Sequence, residues 1–294
     1  MSAYPMWRPL EVLATGPLAT FQDRGRPGMA AMGVSRSGAA DRRAYELGNR
    51  LLLNDAGTPS VEVTFGGLSV RAHAPLMLAL TGAECPATVD GRAVANSGLL
   101  YLDAGQVLTL AMPRAGLRTY LTARGGFLID RVLGSASTDT LSGLGPPPIA
   151  KGDVLRVGPP ASDKFSGVDT PNVRLLPTDT MTLDVVLGPR DDWQEDLIQL
   201  TETHWLVSAK SNRVGVRLEN GVMRRHHDFA GAELASEGVV RGSIQVPASG
   251  EPIIFGADHP VTGGYPVVGV LTEESADLAA QARPGQHIAF RIVR

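Results

Sequence analysis

The densest run of groups able to move a proton or grip an anion is Gly256-Ala257-Asp258-His259-Pro260-Val261-Thr262-Gly263-Gly264-Tyr265-Pro266. Asp258 or His259 can exchange a proton, and Thr262 or Tyr265 can hold a carboxylate or carbonyl. The Gly263-Gly264 pair lets backbone N–H groups approach an anion closely. A plainer reading is a hairpin whose Asp and Thr bond their own backbone. Pattern alone leaves the two level.

Three further stretches carry chemistry-bearing residues. Thr20-Phe21-Gln22-Asp23-Arg24-Gly25-Arg26-Pro27-Gly28 sets an acid between an amide and two guanidiniums. It reads as a carboxylate or phosphate clamp with Asp23 orienting an arginine, or as an internal salt bridge fixing a loop. Ser211-Asn212-Arg213-Val214-Gly215 places Arg213 beside two small polar donors, or is simply a turn before the strand at Val216-Arg217-Leu218. Ser37-Gly38-Ala39-Ala40-Asp41 reads as a loop and helix cap.

Other familiar motifs fail. No Gly-x-x-x-x-Gly-Lys-Ser/Thr loop cradles a phosphate, and His-Glu-x-x-His is absent. Ser208-Ala209-Lys210-Ser211 offers an amidase-like Ser and Lys with no oxyanion hole nearby in sequence. In His226-His227-Asp228 adjacent histidines are expected to point apart, so a polar loop rather than a metal site is expected.

The elements that must position these residues are mostly strands. Leu10 to Leu13, Ser60 to Phe65, Leu76 to Leu80, Gln106 to Ala111, Thr119 to Ala123 and Val154 to Val157 are short, apolar or alternating, and bounded by Gly, Pro or Asp. Helices are expected in three places. Asp41 caps a run carrying Ala44, Leu47 and Leu51 on one face; Trp193, Leu197 and Leu200 mark a second; Thr272 caps a third, stopped by Pro284-Gly285. The polar, proline-broken stretch 161–172 reads as a linker between units at 1–160 and 173–294. The two halves echo one another. Leu10-Glu11-Val12-Leu13 and Leu183-Asp184-Val185-Val186 each open a unit before a Gly-Pro, and Lys151-Gly152-Asp153 and Pro284-Gly285-Gln286 precede each closing strand.

Composition agrees with a turn-rich β protein. Of 294 residues 34 are Gly and 21 Pro, nearly a fifth of the chain against a usual share of roughly 12%. With 43% hydrophobic residues and no repeat, collagen, coiled coil and disorder are excluded. Lys+Arg 27 against Asp+Glu 30 provides no net positive field for nucleic acid. One cysteine forbids an internal disulfide. Without a leader pattern or a long apolar run, a cytoplasmic protein off the membrane is expected.

Taken in order, these segments resemble one family. Gln22-Asp23-Arg24-Gly25-Arg26-Pro27-Gly28, Ser37-Gly38-Ala39-Ala40-Asp41-Arg42, Glu62-Val63-Thr64-Phe65-Gly66-Gly67 and Leu80-Thr81-Gly82-Ala83 are similar to the first half of the C subunit of 5-oxoprolinase. Arg114-Ala115-Gly116-Leu117-Arg118, Arg124-Gly125-Gly126, Ser211-Asn212-Arg213, Gly242-Ser243-Ile244-Gln245-Val246-Pro247 and Thr262-Gly263-Gly264-Tyr265-Pro266 resemble the rest. The same family is labelled biotin-dependent carboxyltransferase-like, allophanate hydrolase subunit 2, and antagonist of a sporulation-kinase inhibitor. Ala40 stands where methionine is expected, and Val267 where many members carry a basic residue.

The resemblance implies a mostly β fold of tandem cyclophilin-like β-barrel units with a few short helices. It implies two partners, the A and B subunits of 5-oxoprolinase, of which the second is also cyclophilin-like. The assembly would open the 5-oxoproline lactam to glutamate at the expense of ATP with Mg. On that reading Asp258 is the expected general base with Tyr265 orienting, and Gln22, Asp23, Arg24, Arg213, Thr262, Gly263 and Gly264 are expected to bind substrate. Two other functions stay open. One is a carboxyltransferase taking carboxylated biotin and a urea-like substrate, though this length leaves no room for biotin carboxylase and carrier domains. The other is a non-catalytic antagonist of a kinase inhibitor.

Overall fold

Short apolar runs punctuated by glycine, proline and aspartate fold into strands through most of the chain. The computed structural model describes residues 7–95, 97–160 and 174–294. The described residues divide into two compact units that interleave along the sequence. The first comprises residues up to Gly25, Asp41–Thr138 and Gly143–Leu176; the second comprises Arg26–Ala40, Asp139–Ser142 and Pro177–Arg294. The sequence places one boundary at 161–172, which lies outside the described residues. Two stretches of the N-terminal half, 26–40 and 139–142, instead belong to the second unit. A single break in polarity along the chain gives no sign of such a return.

The first unit holds β1 (Arg8–Thr15), β2 (Leu18–Gln22), α1 (Arg42–Leu51), β3 (Ser60–Thr64), β4 (Leu68–Ala72), β5 (Leu76–Glu84), β6 (Ala87–Val89), β7 (Arg92–Val94), β8 (Gly98–Leu102), β9 (Val107–Leu110), β10 (Ala115–Ala123) and β11 (Val154–Val157). Strands β11-β1-β4-β9-β6-β7 form one sheet and β2-β3-β10-β5-β8 a second. Leu10, Val12, Val63, Val70, Leu78, Leu80 and Leu108, drawn from both sheets, share one core. Strand β10 is buried along its whole length because both its faces are covered. On one of them lies α1, whose Asp41 cap accepts from the Ala44 amide at 3.0 Å. Gly48 lets the helix approach closely, since a Cβ there would stand 2.6 Å from the Thr122 hydroxyl.

The second unit holds β12 (Thr180–Leu187), α2 (Ile198–Glu202), β13 (Trp205–Val207), β14 (Gly215–Glu219), β15 (Glu237–Gly238), β16 (Ser243–Gln245), β17 (Ile253–Phe255), β18 (Thr262–Gly263), β19 (Val267–Leu271), α3 (Glu273–Ala279) and β20 (His287–Ile292). Seven of these strands close a barrel in the order β12-β19-β16-β17-β14-β13-β20. Closure removes the exposed sheet edge, and period-two alternation fills the interior: Met181, Leu183 and Val185 of β12 are all fully buried. Both units pair their first strand with their last. The orientation differs, however: β1 meets β11 antiparallel, whereas β12 meets β20 parallel.

The expected second helix is shorter than its apolar spacing. A single 3-10 turn spans Asp191–Trp193, Gln194 returns to extended backbone, and α2 starts only at Ile198. Trp193 leaves the helical stripe because its ring stacks on Phe229, with centroids 4.5 Å apart. Helix α3 begins at its Thr272 cap but ends at Ala279, ahead of Pro284-Gly285. Gly48→Val should lower stability by about 1–3 kcal/mol through overpacking against β10. Urea unfolding checks this, and a neutral result would contradict the close approach of α1.

Candidate functional site

The ladder between β14 and β17 fixes the site in the second unit. Gly215 lies opposite Phe255, and the pairing runs on beyond the strands, with the Gly256 amide donating to the Val214 carbonyl and the Asp258 amide to the Arg213 carbonyl. A Cβ at Gly256 would collide with that Arg213 carbonyl, so the close passage requires glycine. This register brings the Arg213 and Asp258 side chains together.

Asp258 is fully buried and Arg213 is only 3% exposed. Arg213 clasps the carboxylate with both arms of its fork: Nε donates to Oδ2 at 2.8 Å and Nη2 to Oδ1 at 2.9 Å. Ser37 Oγ donates to Oδ1 at 2.6 Å, while the Thr140 amide and hydroxyl donate to Oδ2 at 2.9 and 2.7 Å. Burial alone would raise the Asp258 pKa. The Arg213 charge and its hydrogen bonds, with those of Ser37 and Thr140, outweigh burial and hold it below the ordinary carboxylate range. The sequence pattern suggests Asp258 as a general base. Its geometry argues against that role: both oxygens are occupied, its affinity for a proton is lowered, and solvent does not reach it. It is a fixed anion that ties segments 26–40 and 139–142 to the barrel.

The first unit treats Asp23 similarly. Gly25 N, Ser135 Oγ and Ser137 Oγ donate to Oδ1 at 2.7, 2.5 and 2.6 Å; Ala136 N and Arg131 Nη1 donate to Oδ2 at 2.8 and 3.1 Å. The expected partner, Arg24, instead points to Glu46 at 3.1 Å in an exposed pair, a type worth about 0–1 kcal/mol. Gln22 is fully buried, and its amide nitrogen is consumed by Thr20 Oγ1 and the Thr138 carbonyl. Its carbonyl Oε1 is left without a partner, so Gln22 offers an acceptor where a donor was expected.

The glycine turn builds an open cavity of about 720 Å³ within the second unit, lined by Arg225, Glu233, Leu234, Ala248, Gly264 and Tyr265 among others. Thr262 and Gly263 are the short strand β18, paired with β15. Gln245 donates its side-chain amide to the Tyr265 carbonyl at 2.8 Å, and a Cβ at Gly263 would meet that same amide. The turn is thereby fixed, and Tyr265 is left 48% exposed. Arg225 sits 5.4 Å from the centroid of the Trp193 ring and donates to the Ala232 carbonyl at 2.9 Å. A pocket of this kind can take a small planar molecule on a phenol, a backbone amide and a guanidinium.

The structure therefore joins Arg213 to Asp258 and Gly264 to Tyr265 in the second unit, while Gln22, Asp23 and Arg24 lie in the first. Sequence reasoning missed Arg131, Ser135, Ser137 and Thr140, and it placed Ser37 only in a loop before a helix cap. The signal was present: Ser135-Ala136-Ser137-Thr138-Asp139-Thr140 is an unusual run of short polar side chains in a strand-rich chain. His226, His227 and Asp228 also depart from expectation, since their ligand atoms lie within 4.8 Å of one another on a 3-10 turn. His226 Nδ1 there accepts the Asp228 amide, and His227 and Asp228 are exposed.

The family model for the carboxyltransferase domain, subdomains A and B, matches residues 32–292. The chain belongs to this carboxyltransferase family. It is 35% identical to the C subunit of Escherichia coli 5-oxoprolinase over 288 residues, which are 96% of this chain and 90% of the relative. It is 29% identical to urea amidolyase of Saccharomyces cerevisiae across 96% of the chain, but only 16% of that enzyme. Among solved structures, K. lactis urea amidolyase matches all of the chain with a TM-score of 0.90 at 26% identity; the chain spans about a fifth (19%) of that protein.

Replacing Asp258 by Asn breaks the pair while conserving volume, and should cost about 3–5 kcal/mol. Because the folded-state pKa is lowered, the stabilisation is present above the unfolded value near 3.8 and lost as pH falls below it. Urea unfolding at pH 7 should show the full difference between Asp258→Asn and wild type, and at pH 3 a smaller one. Equal stability at pH 7 would contradict the account.

Proposed function

We propose that the chain is the C subunit of a cytoplasmic, ATP-dependent 5-oxoprolinase, acting with the A and B subunits to open the 5-oxoproline lactam to glutamate. The supporting observation is 35% identity extending over nine-tenths of both this chain and the corresponding subunit of the Escherichia coli enzyme. None of the helices among the described residues is long and apolar enough to cross a membrane.

A lactam carbonyl is a poor electrophile, so the assembly must activate it and then stabilise the negative charge that develops on oxygen. A triphosphate finds no ready place at the helix that would suit it best. The start of α1, the longest helix among the described residues, is closed by the Asp41 carboxylate, which would repel phosphate. We therefore assign ATP and its Mg to a partner in the assembly. This chain's contribution is to bind and orient the small amide. Tyr265 and Gly264 border the cavity beside Arg225, and a phenol hydroxyl and a backbone amide are groups suited to hold its carboxylate or carbonyl. The buried Arg213–Asp258 pair keeps the supporting loop in place rather than exchanging the proton.

A second reading, a carboxyltransferase component of a urea or allophanate pathway, is favoured by the match of the whole chain to urea amidolyase. The same cavity would then receive a ureido group, and biotin would arrive on another protein or domain.

Reconstitution with the A and B subunits should give ATP hydrolysis that depends on 5-oxoproline. In that assembly Tyr265→Phe should lower kcat/KM by roughly tenfold through loss of one hydrogen bond. A wild-type assembly without 5-oxoproline-dependent hydrolysis, but competent to carboxylate urea from carboxylated biotin, would establish the second reading instead.

A further inference from the structure

The segment Ser35–Ala40, part of the second unit, has an unusual hydrogen-bond balance. Two arginines hold its carbonyls: Arg213 Nη2 donates to the Gly38 oxygen and Arg241 Nη2 to the Ala40 oxygen, each at 2.7 Å. Arg241 is itself anchored by Asp277 at 2.6 Å, and Arg213 by Asp258. The N–H groups of Gly38 and Ala39, by contrast, meet no acceptor among the described residues, although both residues are buried. A third donor in the same segment is in the same condition. Ser35 is 6% exposed, and its hydroxyl has no partner.

Buried amides without partners are rare, because each forfeits the hydrogen bond it made to water. Two in succession with an orphaned hydroxyl close by in sequence call for an acceptor that arrives from outside the chain. The peptide joining Gly38 to Ala39 is also polarised. Its oxygen accepts from the Arg213 guanidinium, which draws electron density away from the Ala39 nitrogen and makes that N–H a stronger donor. Ser37 and Gly38 carry positive φ angles of 52° and 95°. For Ser37 this conformation is costly, and it persists because Asp258 holds the side chain. The Arg213–Asp258 pair thus shapes the segment at its side chain and at its carbonyl together.

We propose that the Gly38 and Ala39 amides, with the Ser35 hydroxyl, form an oxyanion site that takes a carbonyl or carboxylate oxygen of a small amide substrate. The identity of that substrate as the lactam rests on the function proposed above; the donor set does not. The site transfers no proton and needs no catalytic base. It would hold an oxygen whose negative charge grows as the carbonyl is attacked, the task for which fixed backbone donors are best suited.

The test is amide NMR on the full-length 15N-labelled chain, titrated separately with 5-oxoproline and with acetate as a plain carboxylate. Saturating 5-oxoproline should move the Gly38 and Ala39 proton resonances downfield, and Ser35→Ala should weaken its binding roughly three- to tenfold. If acetate moves these two resonances and 5-oxoproline does not bind, the oxyanion site stands and the lactam reading fails. If neither probe moves them, or 5-oxoproline binds while both stay fixed, the donors hold water only and the proposal is overturned.

Discussion

A buried ion pair organises the second unit. Carrying Arg213 and Asp258 out of water costs several kcal/mol for each charge. That cost is offset only because the pair is bidentate and the remaining carboxylate valences are filled by Ser37 and Thr140. Asp258 and its three partner residues come from four separated stretches of sequence. Satisfying one carboxylate therefore draws 26–40 and 139–142 onto the barrel, and the interleaved division of the chain follows from it.

The first unit reaches a comparable solution at Asp23. Each aspartate lies a few residues or fewer beyond the end of a strand, β2 or β17, and each accepts five hydrogen bonds from backbone amides, hydroxyls and one arginine. Ser135 and Ser137 serve Asp23, and Thr140 serves Asp258. What looks in sequence like two acid-containing active-site loops is in structure two buried carboxyl groups, each closed in by its own hydrogen-bond donors. Tyr265 and Gly264, by contrast, are exposed and border the open cavity of the second unit. A carboxylate that stabilises a loop and one that takes a proton make opposite demands on burial, and these two answer the first.

Much of the fold was legible in the sequence because strand alternation and glycine punctuation are local. The strand Val154–Val157, the Asp41 and Thr272 caps and the mostly β class could all be read from neighbours. The Trp193 helix could not, since a stacking partner 36 positions away decides where that ring goes. The Arg213–Asp258 contact depends on the β14–β17 register, which no local pattern encodes. The residue types at the site were readable, but their roles were not. Asp258 as base and Asp258 as tie have the same sequence, and the Arg213 fork together with the Ser37 and Thr140 donors separates them. The Ser37-Gly38-Ala39-Ala40 loop was likewise visible as a motif, while its unpaired amides are a property of three dimensions.

The most direct test of this account is a double-mutant cycle across the ion pair, using Arg213→Met and Asp258→Leu and reading unfolding free energy at pH 7. If the pair is a sealed tie, each single variant leaves an unpaired buried charge. The double variant should then be no less stable than either single, giving a coupling of several kcal/mol. Additive losses, with the double variant destabilised by the sum of the two, would contradict it.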